Sequence, residues 1–465
     1  MNDVSPPRLT RELIDAPSAP VRIVHLGLGN FHRAHQAWYT HRAPDAEQWG
    51  IAAFTGRRPD MARALAPQDG LFTLITRDSD GDTFEVVRSI VAVHAADEHE
   101  AFIGYVADPQ VAIVTMTVTE HGYLRNEAGG LDTTREEITA DAAAIETGDP
   151  VGTLPGRLLA GLLARQAADA GPITILSCDN LPDNGAVTRR VVTDLARAAA
   201  PQSLEWIEAN VDFATSMVDR ITPATTEQDT ETVAQQQGYL DVSPVPTEPF
   251  SEWVVSGRFP AGRPAWEDAG VQLVDDVASH ERRKLWLLNG SHSMLAYTAP
   301  LLGHQTIDEA IDDPRCLEWV NTFWDEAQRH LDLEEAQVGQ YRDDLLLRYA
   351  NTGVRHHLAQ IAGDGSQKLP VRTLPTLLAE READRLPVGS ATTIAGWVLH
   401  LRGHGAPIGD AGSEPARQAA AAVDDTEAVI GVLNTLHADL GEDDALVELV
   451  SDRVSILRHL ATKNA

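Results

Sequence analysis

The chain has 465 residues, a formal net charge of -32 and 43% hydrophobic residues. That is enough apolar side chain for a large core or two, while acidity on this scale repels nucleic acid and anionic membranes and excludes both as partners. Two cysteines, Cys178 and Cys316, cannot build a disulfide framework. The N-terminus lacks the basic and apolar regions of a signal peptide, and no run reaches a membrane span, so a cytoplasmic protein is expected.

Residues 1–20 are expected to form an irregular or loosely docked arm. Val21-Arg22-Ile23-Val24-His25-Leu26 then reads as a buried strand running into Gly27-Leu28-Gly29-Asn30-Phe31-His32-Arg33-Ala34-His35. Two glycines after a strand fit the turn that brings backbone N–H groups up to a dinucleotide pyrophosphate. Gly27, Gly29, Asn30 and Phe31 are therefore cofactor-binding candidates, although a GxG occurs in many α/β turns and His32 stands where the fingerprint has its third glycine. Arg33 and His35 either add positive charge beside the phosphates or form a solvated first turn. A second strand over 49–54 ends in Thr55-Gly56-Arg57-Arg58, where such folds meet the adenosine ribose. An acid there accepts the 2′-hydroxyl of NAD, whereas arginine tolerates or binds the 2′-phosphate of NADP. With Arg57 and Arg58 present and no acid before Asp60, acceptance of NADP as well as NAD is expected; the alternative is an exposed basic loop.

Alternating strands follow over 71–76 and 83–93, joined by Asp78-Ser79-Asp80-Gly81-Asp82 as a hairpin turn. Core strands over 111–119 and 173–177 are separated by helical stretches over 133–146 and 154–170. The second of these strands ends in Ser177-Cys178-Asp179-Asn180, and polar residues at the carboxyl end of a parallel strand lie where α/β folds bind ligands. Asn180 is thus a substrate-contact candidate, with turn formation as the alternative. Asp219, in Met217-Val218-Asp219-Arg220-Ile221-Thr222-Pro223, is another, unless it simply pairs with Arg220. From residue 276 helical periodicity takes over, at 317–327, 394–401 and 428–436, with a glycine- and proline-rich break over 403–415. The expected architecture is an α/β, Rossmann-type dinucleotide-binding domain over 1–275 and a mostly α-helical domain over 276–465, packed rigidly around a shared cleft.

The helical part opens on Lys284-Leu285-Trp286-Leu287-Leu288-Asn289-Gly290-Ser291-His292. Only three lysines occur in the chain, Lys284, Lys368 and Lys463; elsewhere arginine supplies positive charge. Arginine cannot lose its proton at working pH, whereas a partly buried lysine can act as a base. On an ideal α-helix Lys284, Asn289 and His292 fall within one arc of about 140°. An amine, an amide and an imidazole on one face suit proton removal from an alcohol, with two hydrogen bonds steadying the oxyanion. The alternative is a lysine reaching outward from a core helix that ends at Asn289-Gly290, beside an interior histidine. Seventeen histidines are scattered through the chain without zinc-ligand spacing, so no metal is expected.

Taken together, the glycine turn, Thr117-Val118-Thr119-Glu120, Ser177-Cys178-Asp179-Asn180, the segment around Asp219, Asp364-Gly365-Ser366-Gln367-Lys368 and the Lys284-x4-Asn289-x2-His292 spacing resemble the mannitol dehydrogenase family of polyol-specific long-chain dehydrogenases. The likeness runs from Ile23 to about Trp397. It implies metal-independent oxidation of a secondary alcohol by NAD or NADP, most simply mannitol to fructose, in a monomer. It further implies Lys284 as general base and Asn289 and His292 as holders of the substrate oxygen. Asn180, Asp219 and Lys368 match polyol contacts, and Glu281 matches a proton outlet to solvent. Gln360 stands where mannitol-oxidising relatives have arginine and resembles the fructuronate reductase (mannonate oxidoreductase) branch, while 179–189 look closer to the mannitol branch. A uronate carboxylate would want a cation such as Lys368, Arg355 or His356. A catalytically silent dinucleotide or sugar sensor on the same fold is the alternative of another class.

Overall fold

The computed structural model describes residues 6–464. Backbone contacts divide the chain after Ala278 into two compact units. The first carries strands β1 Val21–Leu26, β2 Gly50–Phe54, β3 Phe72–Asp78, β4 Gly81–Val87, β5 Ile90–His94, β6 Ile113–Met116, β7 Ile173–Ser177, β8 Val211–Asp219, β9 Val245–Thr247, β10 Glu252–Ser256 and β11 Gln272–Leu273.

Eight strands form one sheet in the order β11-β10-β8-β7-β6-β1-β2-β5, and β4-β3-β9 form a second. From β5 to β8 every pairing is parallel; β10 runs antiparallel to β8. Such a sheet must be covered on both faces, which explains why its strands read as near-continuous apolar runs. Ile23 packs into one core with Trp49, Leu74 and Trp253, while Val24 and Leu26 pack into another with Phe102, Leu158 and Leu162. Residue pairings Leu26 with Phe54, Leu26 with Met116 and Met116 with Ser177 bring these carboxyl ends to one edge. Chain order reverses between β1 and β6, so a ligand crevice is expected at the end of β1, where Gly27 follows.

Two expectations are corrected. The apolar stretch 83–93 is two strands in different sheets: β4 pairs antiparallel with β3, and β5 pairs parallel with β2. The switch occurs at buried Ser89, whose hydroxyl donates to the Ala37 carbonyl and whose carbonyl accepts from Ile51 N–H. Residues 6–20 are irregular but not loosely docked, since Leu9 is fully buried, its N–H donates to the Leu240 carbonyl, and the Leu240 N–H donates to the Pro7 carbonyl; residues 1–5 lie outside the described residues.

The second unit is helical. Its interior is built on the helices Gly290–Thr298, buried at every position, and Val388–Leu401, buried at all but its first residue. Pro314–Gln328 packs against them through Val320, Phe323 and Trp324, the apolar stripe anticipated for that segment. Among the described residues no helix is long and apolar enough to cross a membrane.

Candidate active site

In the first unit the site grows from the turn after β1. Gly27 adopts φ +106, and a Cβ there would collide with the Thr117 carbonyl oxygen, so both backbone and space demand glycine. The N–H groups of Gly27 and Leu28 both donate to the Phe54 carbonyl at 2.9 Å. The N–H groups at the start of the next helix, Asn30–Ala34, have no intrahelical acceptor and are the ones left to meet an anion. His32 takes the place of the third glycine by stacking flat on His25, ring centroids 3.3 Å apart. His25 is hydrogen-bonded to the Thr115 and Thr117 hydroxyls, and burial pushes its imidazole down to about 3. Two neutral rings therefore fill the helix–strand gap that a glycine would otherwise close.

Several cofactor candidates behave differently from their sequence reading. Arg33 is fully buried, and its guanidinium donates to the Ser243 and Gly29 carbonyls and to Asn30 Oδ1. It is an internal strut, neither a phosphate contact nor a solvated residue. His35 is equally buried, on the Glu252 carbonyl and the Gln36 amide. The Asn30 side chain donates to the Pro223 carbonyl and the Thr225 hydroxyl, leaving its backbone as the possible contact. Phe31 stacks on His35 at 5.0 Å. Arg57 and Arg58 separate: Arg57 lines a 720 Å³ cavity together with Gly27, Leu28, Gly29 and Gly56. The Arg58 side chain is 89% exposed, with Asp60 at 3.9 Å, and fits the surface-charge alternative.

Asp179 shows why two motifs far apart in sequence travel together. One of its oxygens accepts from the Val118 and Thr119 N–H groups at 2.8 Å, and the other from Tyr123 at 2.7 Å. Burial raises its carboxyl above the ordinary value. Asn184, not foreseen, bonds both the Asp179 and Ser216 carbonyls and so joins the ends of β7 and β8. Asn180 follows Asp179 directly and is exposed; Asp219, the last residue of β8, is buried. Arg220 is engaged elsewhere, donating to the Ala34 and Glu248 carbonyls.

In the second unit the helix Ala278–Arg283 carries Glu281 and continues without a break through Lys284–Asn289 into Gly290–Thr298. Helix termination at Asn289-Gly290 is thereby overturned. Gly290 is helical; a Cβ there would sit 2.5 Å from the Phe323 ring, so close packing and not a cap requires the glycine. The six residues Lys284–Asn289 are wound as a π-helix, whose i→i+5 hydrogen bonds correct the 100° spacing assumed from sequence. Side chains from other helices, and Ser291 from the helix that continues it, meet the carbonyls of this widened turn. Trp324 Nε1 and Ser291 Oγ donate to the Leu287 carbonyl, at 2.9 and 2.5 Å, and Tyr349 OH to that of Leu288 at 3.2 Å. Arg372 Nη1 lies 3.5 Å from the Asn289 carbonyl and 3.3 Å from Ser293 Oγ. Sequence reading missed Trp324, Tyr349 and Arg372; their apolar or basic neighbours carry no sign of a role here.

Lys284 and Asn289 are partly buried and His292 is 7% exposed. Desolvation, then the nearby charges of His356, Arg348 and Arg372, hold the His292 imidazole well below its ordinary value, so it is neutral at working pH. His356 lies edge-on at 5.1 Å. Lys368 donates to the Ile361 and Gly363 carbonyls at 3.2 and 2.5 Å, bracing the end of the short helix Leu358–Ile361 that carries Gln360; Gln360 and Arg355 are exposed. His304, Asp313 and Cys316 come close enough to hold a metal ion, but Arg315 already occupies both oxygens of Asp313.

A family model described as the mannitol dehydrogenase Rossmann domain matches residues 21–268, and one described as the mannitol dehydrogenase C-terminal domain matches 276–457. The chain is 36% identical to a mannitol 2-dehydrogenase of Cereibacter sphaeroides, over 85% of this chain and 84% of that one. It is also 36% identical to a D-mannonate oxidoreductase of Escherichia coli, over 82% and 80%. Among solved structures, a Pseudomonas fluorescens mannitol 2-dehydrogenase in ternary complex with NAD and D-mannitol is 31% identical, with a TM-score of 0.79 over 98% of both chains.

Proposed function

Since the chain belongs to the mannitol dehydrogenase family of oxidoreductases, we propose that it interconverts a polyol and its ketose, mannitol and fructose first, with Lys284 as general base. The observation that carries the proposal is the braced π-helical segment, which carries an amine at its start and an amide at its end, with a neutral imidazole in the helix that continues it. Such segments concentrate at functional sites, because the widened turn costs stability unless something holds it.

The residues present fit a nicotinamide dinucleotide: a turn in which only glycine fits after β1, first-turn N–H groups, and a cavity beside them. When bound, that group takes up the hydride from the carbinol carbon. The chain's own residues do the rest. A neutral Lys284 amine takes the hydroxyl proton, the Asn289 amide and the His292 N–H donate to the oxygen as charge develops, and Glu281 relays the proton outward. Asn180, Asp219, Gln360 and Lys368 are assigned to the polyol chain, Lys368 also as the brace of its loop. Gly27, Gly29, Asn30 and Phe31 are assigned to the pyrophosphate through their backbone, and Arg57 to acceptance of NADP.

A second reading within the same chemistry is reduction of a sugar acid such as fructuronate. It is favoured by the cations whose charge reaches His292, Arg348 and Arg372. A silent sensor has no use for the intact trio. The deciding experiment supplies mannitol, arabinitol, sorbitol and mannonate with NAD or NADP and follows the reduced nicotinamide. Turnover of polyols supports the first reading, turnover of mannonate alone supports the second, and no turnover with a bound dinucleotide removes both.

A further inference from the structure

The helix Leu154–Ala167 buries two arginines on one stripe, and they meet opposite fates. Arg165 is saturated: its guanidinium donates to the carbonyls of Val106, Asp108, Ala170, Gly171 and Pro172. Arg157, two turns earlier, is 6% exposed, and its Nε and Nη2 are buried without a hydrogen-bond partner. Among the described residues no carboxylate pairs with it. The rings of Phe102 and Phe54, at 5.2 and 5.8 Å, lie against its charge, and the charge in turn helps to depress the nearby His99 imidazole. Burial brings the guanidinium down to about 10, which still leaves it charged at neutral pH. An uncompensated buried cation is strongly destabilising, and a fold retains one where a ligand brings the opposite charge.

Its location names the ligand. Arg157 lines the same 720 Å³ cavity as the glycine turn, Gly56 and Arg57. Phe54, whose ring it covers, is the last residue of β2, the strand whose end meets the adenosine ribose in this fold. Two acids also line the cavity, and both are engaged. Asp141 accepts from the Gly152 and Thr153 N–H groups and the Thr153 hydroxyl, and Glu137 pairs with Arg135. We propose that Arg157 and Arg57 form a two-arginine clamp for the 2′-phosphate of NADP, Arg157 as its buried member and Arg57 as its outer one. This rests on the dinucleotide reading above and turns a loose acceptance of NADP into a built phosphomonoester site.

Calorimetric titration with 2′,5′-ADP and with 5′-AMP tests it without turnover. The wild-type protein is expected to bind 2′,5′-ADP at least about tenfold more tightly than 5′-AMP. R157Q removes most of that difference and leaves 5′-AMP within about twofold, while R157K keeps part of it. R57A, a change on the cavity rim that folding tolerates, weakens 2′,5′-ADP by roughly three- to tenfold on its own. Equal losses for both nucleotides in R157Q would place Arg157 against the pyrophosphate or the adenine and overturn the clamp, as would no loss in either variant. Wild-type protein that binds neither NAD nor NADP would instead defeat the dinucleotide reading itself.

Discussion

At the scale of single residues, chemistry and stability are both set by which charges the fold desolvates. Replacing Lys284 with alanine is expected to lower kcat/KM by roughly 10²- to 10⁴-fold, the range for loss of a general base. Dinucleotide affinity should stay within about twofold, since the glycine turn lies in the other unit. Steady-state kinetics and a binding titration check both halves, and near-normal turnover would end the assignment. His25 and His32 make a second expectation, this time about acid stability. Both imidazoles are depressed by burial, His25 to about 3, so the unfolded chain binds more protons than the folded one below pH 6.5. Their contribution is therefore complete above pH 6.5 and is lost as pH falls towards 3, by about 1.4 kcal/mol per pH unit for His25 alone. Urea unfolding should show little change from pH 7.5 to 6.5 and that slope from 6.5 to 5, a window above most carboxylate titration, and His25→Gln should reduce it to the part His32 contributes.

At the scale of the element, the π-helical turn Lys284–Asn289 is stable only because other helices serve its carbonyls. Trp324→Phe removes one of the two donors to the Leu287 carbonyl, and Tyr349→Phe removes the hydroxyl that donates to Leu288 and hydrogen-bonds Ser291. Each is expected to cost ~1 kcal/mol of stability. The pair should cost more than the sum, because both changes weaken the same segment through Ser291. Turnover should fall alongside stability as Asn289 and His292 lose their register with Lys284. A double-mutant cycle read by unfolding and by kcat checks this; stability lost with kcat intact would show that the winding does not matter to the chemistry.

At the scale of the whole molecule, a charge of -32 means that the folded chain repels itself. Raising salt from ~0.01 to ~0.5 M should therefore raise the melting temperature, because screening relieves the repulsion. The opposing term is ion pairing, most concentrated where Arg329, His330 and Arg385 surround the buried Glu380 carboxylate. A melting temperature that falls with salt would mean that such clusters outweigh the net charge.

What the chain alone determined is what depends on near neighbours. A strand followed by a glycine that no other residue can replace, alternating and helical periodicities, and the spacing of Lys284, Asn289 and His292 are all local, so the Rossmann-type sheet, the helical second unit and the candidate trio could be read without coordinates. Whether a charged side chain faces water is not local. Arg33 looks like a phosphate ligand until Ser243, two hundred residues on, supplies its acceptor, and the turn at Asn289-Gly290 looks like a helix end until Phe323 presses against it. Arg157 and Arg165 share one stripe of one helix, and periodicity would have marked both as buried; only the arrival of five carbonyls at one of them, and of none at the other, separates a strut from a binding group.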